Sequence, residues 1–182
     1  MKVELEKAKT QIETSEKVTE LLILARAFRS WRFWLHALEY YEMAIEMQPD
    51  NPDIYVQKSF VYAGQAEEAS DKKLDPTPYY NKAIELTEKA IEVGNKINKP
   101  FGRAYYDRAC YRNKLKTALL PDILADLKKA IDLDAVHRKL AQHDPDFSDI
   151  REKEEGFKKL VPPEAAERQA PITSPQPVVS LH

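Results

Sequence analysis

From Val18 onward the apolar residues fall into step with a helix. Leu21, Leu22, Leu24, Ala25 and Phe28 recur at spacings of three and four, which places them along one helical face. The run Ser30-Trp31-Arg32-Phe33-Trp34 breaks the pattern. It resumes from about residue 35 to 47, with Ala37, Leu38, Tyr41, Ala44 and Ile45 on the inner face. Ahead of Val18 the chain is helix-prone but rich in Glu and Lys, which predicts a weakly anchored leading helix over residues 1–17.

Punctuation residues set the remaining boundaries. Pro49-Asp50-Asn51-Pro52 stops one helix and starts the next, with Asn51 as N-cap and Pro52 in the first turn, where its missing N–H is no loss. This predicts a third helix over 52–69. Asp75-Pro76-Thr77-Pro78 starts a fourth, with Thr77 expected as its cap and Gly94 as its C-terminal stop. Helices are expected at 101–115 and 121–133, then a short one over 136–142. A turn at Asp144-Pro145-Asp146-Phe147 leads into a last helical piece ending near Leu160. Beyond it, residues 161–182 hold five of the 12 prolines and carry no Lys, Arg, Asp or Glu after Arg168, which reads as a disordered tail.

The helices repeat. Leu21, Leu24, Ala25, Phe28, Ala37, Tyr41, Ala44 and Pro49 match the large, small and proline positions of the tetratricopeptide repeat, whose period is about 34 residues. Small residues let two helices approach, and the larger ones fill the gaps beside them. Tyr55, Ser59, Tyr62, Ala83 and Ala90 repeat the pattern around an insertion of roughly a dozen residues over 67–78. Tyr106, Ala109, Cys110, Asn113, Ile123, Leu127 and Ala130 carry it a third time. The segment from Tyr105 to Tyr111, then Leu127 to Ile131, then Asp144 to Phe147 with Ile150, Arg151 and Phe157, resembles the closing unit of such arrays. The chain thus resembles a tetratricopeptide protein over residues 18–160. The resemblance implies an all-α, right-handed superhelix of about three antiparallel helix pairs, ended by a cap because the last pair has no neighbour.

In that fold the first helix of each pair lines a concave groove. The spacing projects Leu22, Arg26 and Arg29 from the first pair onto it, Val56, Phe60 and Ala63 from the second, and Asp107, Tyr111 and Lys114 from the third. An apolar centre with a basic rim suits an extended or helical peptide that carries acidic residues. Related domains that bind the acidic tails of heat-shock chaperones use a clamp of Lys and Asn. Leu22 stands here where that clamp has Lys, and Arg26 where it has Asn, which disfavours that particular ligand.

Composition narrows the chemistry. A net charge of −2 gives no general attraction to nucleic acid or acidic membrane. With one cysteine, Cys110, no intrachain disulfide forms, and cytoplasmic residence is the default expectation. Only 4 glycines are present, and no phosphate-binding loop, nucleophile elbow or dinucleotide fingerprint occurs, so neither catalysis nor a cofactor is expected. His36, His137, His143 and His182 show no metal-ligand spacing, and Cys110 occupies a small-residue packing position. Asp144 and Asp146 read as turn and cap residues. The arginines 26, 29 and 32 beside Trp31, Phe33 and Trp34 supply an alternative, a sensor or regulatory subunit that grips an anionic ligand, a nucleotide or RNA. The leading expectation is an adaptor or scaffold that binds another protein through the groove; self-association through terminal helices stays open.

Overall fold

The computed structural model describes residues 2–116 and 118–163, with side chains from Thr10 onward. The expected tail from residue 164 lies outside the described residues. Among them the chain is all-helical: α1 (Lys2–Ser30), α2 (Trp34–Met47), α3 (Pro52–Asp71), α4 (Thr77–Lys96), α5 (Gly102–Leu115), α6 (Leu120–Leu133), α7 (Val136–His143), a 3-10 turn (Pro145–Phe147), α8 (Ser148–Arg151) and α9 (Glu155–Leu160). Helices adjacent in sequence are the ones most closely packed, as short connections require. No helix of the described residues is long and apolar enough to cross a membrane.

The leading helix and the first helix of the domain are one continuous α1. Side-chain burial nevertheless begins where the apolar pattern begins: Val18, Leu21 and Ala25 are buried, whereas residues 10–17 are exposed or at most partly covered. At about 1.5 Å per residue, the 29 residues of α1 reach well past the 14 of α2, and the overhang is the polar segment.

The expected insertion is spent on helix. α3 and α4 have 20 residues each, against 14 for α2, α5 and α6. The added turn of α3 meets Trp34. Its indole N–H donates to Glu68 Oε2 at 2.7 Å, and the ring lies so close to Gly64 that a Cβ there would stand 2.7 Å from it. Asn51 caps α3 as expected, accepting from the N–H of Asp53. Two other boundaries differ. Thr77 is the first residue of α4 and Pro76 its N-cap, and Asp75 just before them accepts from the Thr77 N–H through Oδ1 at 2.9 Å. Gly94 is helical and does not stop α4, which runs on to Lys96; the left-handed turn falls on Asn98 (φ 54°). Glycine is needed at 94 because a Cβ would stand 2.9 Å from the Lys99 carbonyl oxygen.

Small residues lie where the helices meet: Ala25, Ala37, Ala44, Ala66, Ala83, Ala104, Ala109 and Ala130 are fully buried. Tyr41, Phe147, Phe157, Leu127 and Ile54 fill the space around them. Leu24, expected to fill a gap, is 41% exposed, because no helix of the described residues covers that side of the first pair. After α6 the chain folds back over its own last pair. Phe147 and Phe157 close on Tyr106 and Leu127, and Val161, one residue past the expected end of the domain, is buried with them.

Candidate functional site

α1, α3 and α5 stand around a cleft of about 440 Å³, closed at one end by the turn between α7 and α8. Phe60, Ala63 and Gly64 of α3 form its middle. α5 contributes Arg103, Asp107, Cys110, Tyr111 and Lys114, whose spacing of three and four keeps them on one face. Arg29 and Ser30 close α1's side, and Asp144 and Asp146 the opposite one.

Charge is divided along the cleft. The guanidiniums of Arg29 and Arg103 lie 5.2 and 5.3 Å from the Phe60 ring centroid. Arg103 Nε donates to both oxygens of Asp107 at 2.9 and 2.8 Å. At the other end Lys114 pairs with Asp146 at 2.8 Å, and the Tyr106 hydroxyl donates to Asp144 Oδ2 at 2.7 Å. Burial pushes the Asp107 carboxyl up to about 6; Arg103 opposes the rise, and Asp144 and Asp146 reinforce it. On the floor the Tyr111 hydroxyl lies 3.1 Å from Ser59 Oγ.

Of the nine positions projected onto the groove, Arg29, Phe60, Ala63, Asp107, Tyr111 and Lys114 line this cleft. The other three do not. Leu22 packs on the core of the first pair, Val56 is buried among Ala90, Ile91 and Ala104, and Arg26 is exposed away from the cleft. Asp107 and Tyr111 are buried, so they form floor rather than rim. The projection missed Arg103, although it stands four residues before Asp107 on the same helix face. It also missed Asp144 and Asp146, which only the fold-back of the cap brings in.

The expected arginine–aromatic cluster is divided: Arg29 and Trp34 line the cleft, and Arg26, Arg32, Trp31 and Phe33 do not. Arg29 turns to Phe60, Trp34 is held by Glu68, and the exposed Trp31 and Phe33 pack edge-on against Phe28, which also stacks on His36 and Tyr40. The side chains of Arg26 and Arg32 form no hydrogen bond or ion pair among the described residues.

The cap also brings Cys110 to Asp144 and Asp146, their potential ligand atoms lying within 4.8 Å of one another, the one grouping of this kind among the described residues. Asp146 is already neutralised by Lys114, and Asp144 holds Tyr106 and the Asp146 N–H. Burial, then the three carboxylates Asp144, Asp107 and Asp146, push the Cys110 thiol up, so it stays protonated. That is the environment of a packing thiol, not of a nucleophile. His137 is buried, its Nδ1 3.1 Å from the carbonyls of Ala130 and Asp134. No protein-family model and no curated protein matches the chain.

Proposed function

We propose that this chain is a tetratricopeptide-type adaptor or scaffold, its helix pairs stacked as a superhelix and its cleft the concave groove that receives a segment of another protein. The observation that carries this reading is the convergence of three alternate helices, α1, α3 and α5, on one cleft with an apolar middle and charged ends. That division suits a peptide, whose side chains supply apolar and charged groups at short intervals. The cleft holds a protonated thiol, and three of its four carboxylates, Asp107, Asp146 and Asp144, are committed to Arg103, Lys114 and Tyr106, with Glu67 the fourth, which supports a binding module rather than an enzyme. The alternative, a sensor or regulatory subunit for an anionic ligand, a nucleotide or RNA, has less support because only Arg29 and Trp34 of its cluster line the cleft, while Arg26, Arg32, Trp31 and Phe33 do not.

Ala63→Glu tests the reading. Ala63 is half-buried, lines the cleft and packs at the edge of the core, so a longer charged side chain obstructs the cleft, and an unaltered melting curve checks that the fold is kept. Proteins captured by the full chain should be lost with Ala63→Glu and kept with Leu35→Ser, a change on a side chain 75% exposed and outside the cleft. Equal capture by all three forms would rule the groove out.

A further inference from the structure

We infer that Arg29 and Arg103, gathered over the Phe60 ring, form an oxyanion seat that takes the carboxylate of an Asp or Glu side chain in a bound peptide. The inference rests on the groove reading and assigns the chemistry of one place within it.

Two guanidiniums from helices far apart in sequence converge on one ring, at 5.2 and 5.3 Å from its centroid. Like charges so placed repel, and the described residues supply a single counterion, Asp107. Asp107 is held through Arg103 Nε, which leaves the two terminal nitrogens of Arg103 without a partner. The Arg29 side chain forms no hydrogen bond or ion pair among the described residues. The seat therefore carries one positive charge in excess and several uncommitted N–H donors, all directed by planar groups suited to a two-oxygen acceptor. Phe60 contributes in two ways. Its ring face attracts the cations, and its apolar body keeps water from one side of them, which strengthens an added anion's attraction. The other cation of the cleft, Lys114, is satisfied by Asp146, so the excess is confined to the Arg29 end. An acidic side chain completes this arrangement; a basic or neutral one leaves the repulsion in place.

The test uses random displayed peptides selected on the full chain, retaining those whose binding Ala63→Glu abolishes. Selected peptides should share an Asp or Glu at one position. Replacing it by Asn or Gln should weaken binding about tenfold, and Arg29→Gln should do the same. The two changes together should cost little more than either alone, and the affinity should fall with added salt. Arg29→Gln is a partly exposed change, and an unaltered melting curve checks that the fold is kept. Groove-dependent peptides that lack an acid, or that ignore Arg29→Gln, would overturn the seat and leave the groove reading standing. Selection of peptides that all ignore Ala63→Glu would overturn both.

Discussion

At the C-terminal end of the helical region Phe147 and Phe157 are fully buried; at the N-terminal end Leu24, Leu35 and Met43 are 41%, 75% and 46% exposed. The helix pairs at the two ends are built from the same materials, alanines at the contacts and larger apolar groups beside them. What differs is the chain available to cover them. After α6 the sequence folds three short helices and a 3-10 turn over its own last pair. This cover is fastened by polar bonds as well as rings: Asn113 Nδ2 donates to the Asp146 carbonyl and Asp149 Oδ1 at 2.6 and 2.7 Å, and Gln142 to the Pro162 carbonyl. Among the described residues, the segment ahead of α1's apolar face is a polar overhang continuous with the same helix. A helix pair packed on one side only leaves apolar groups on its other side. Here one end is closed by the chain, and among the described residues nothing covers the apolar side chains at the other.

The closed end should therefore carry most of the stability. Phe157→Ala removes a ring that touches Phe147 at a 5.6 Å centroid distance and opens the cap. A loss of about 3–5 kcal/mol is expected in urea unfolding. A loss under about 1 kcal/mol, with the slope unchanged, would mean that the cap does not belong to the cooperative unit.

The same end buries an acid. Asp107 faces Arg103 on its own helix and Asp144 and Asp146 from the turn, and burial first, then these acids, hold its carboxyl at about 6 against an ordinary value near 3.8. The folded protein thus binds this proton more tightly than the unfolded chain. The ionised carboxylate opposes folding above pH 6, and that opposition fades as the pH falls through 6 towards 4, by at most about 3 kcal/mol. Wild type should gain stability relative to Asp107→Asn over that window. A difference independent of pH would refute the assignment. Because loss of the Asp107 charge makes the cleft more positive, binding of an acidic peptide should also strengthen from pH 7 to 5.5.

A smaller effect is expected from the contact of Trp34, at the start of α2, with α3. Trp34→Phe deletes the hydrogen bond to Glu68 and withdraws the outer indole ring from Gly64, which should cost about 1–2 kcal/mol. If melting is unchanged, the lengthened α3 is not tied to the first pair through that contact.

Much of this contrast is readable from residue order, and the rest fails for physical reasons. Helices end where Pro, Asn and Asp say they should, and alanines fall at close contacts, because both depend on local sterics. The closing role of Phe147 and Phe157 follows from the resemblance of the last segment to an array's end. Gly94 misleads because glycine serves equally for a left-handed turn and for a close approach, and only the neighbouring Lys99 carbonyl distinguishes them. In the cleft, helical spacing is enough to bring Phe60, Ala63, Asp107, Tyr111 and Lys114 to one side. It fails at Val56, where α4 and the start of α5 cover the same face, and at Arg26, one turn before Arg29 along α1 and outside the cleft. The acidic end of the cleft comes from a turn folded back from beyond α7, information no single helix carries.

The open end supplies the last and smallest expectation. Leu35 is 75% exposed and lies apart from the cleft, so Leu35→Ser removes almost no buried area. Unfolding stability should change by no more than about 0.5 kcal/mol, an order of magnitude below Phe157→Ala. The pair of measurements makes the asymmetry quantitative: similar apolar side chains at the two ends, one carrying the fold and one carrying none of it. A Leu35→Ser loss of about 2 kcal/mol or more, increasing with protein concentration in the wild type, would instead reveal that a second copy covers this face in solution and that the open end is closed by association.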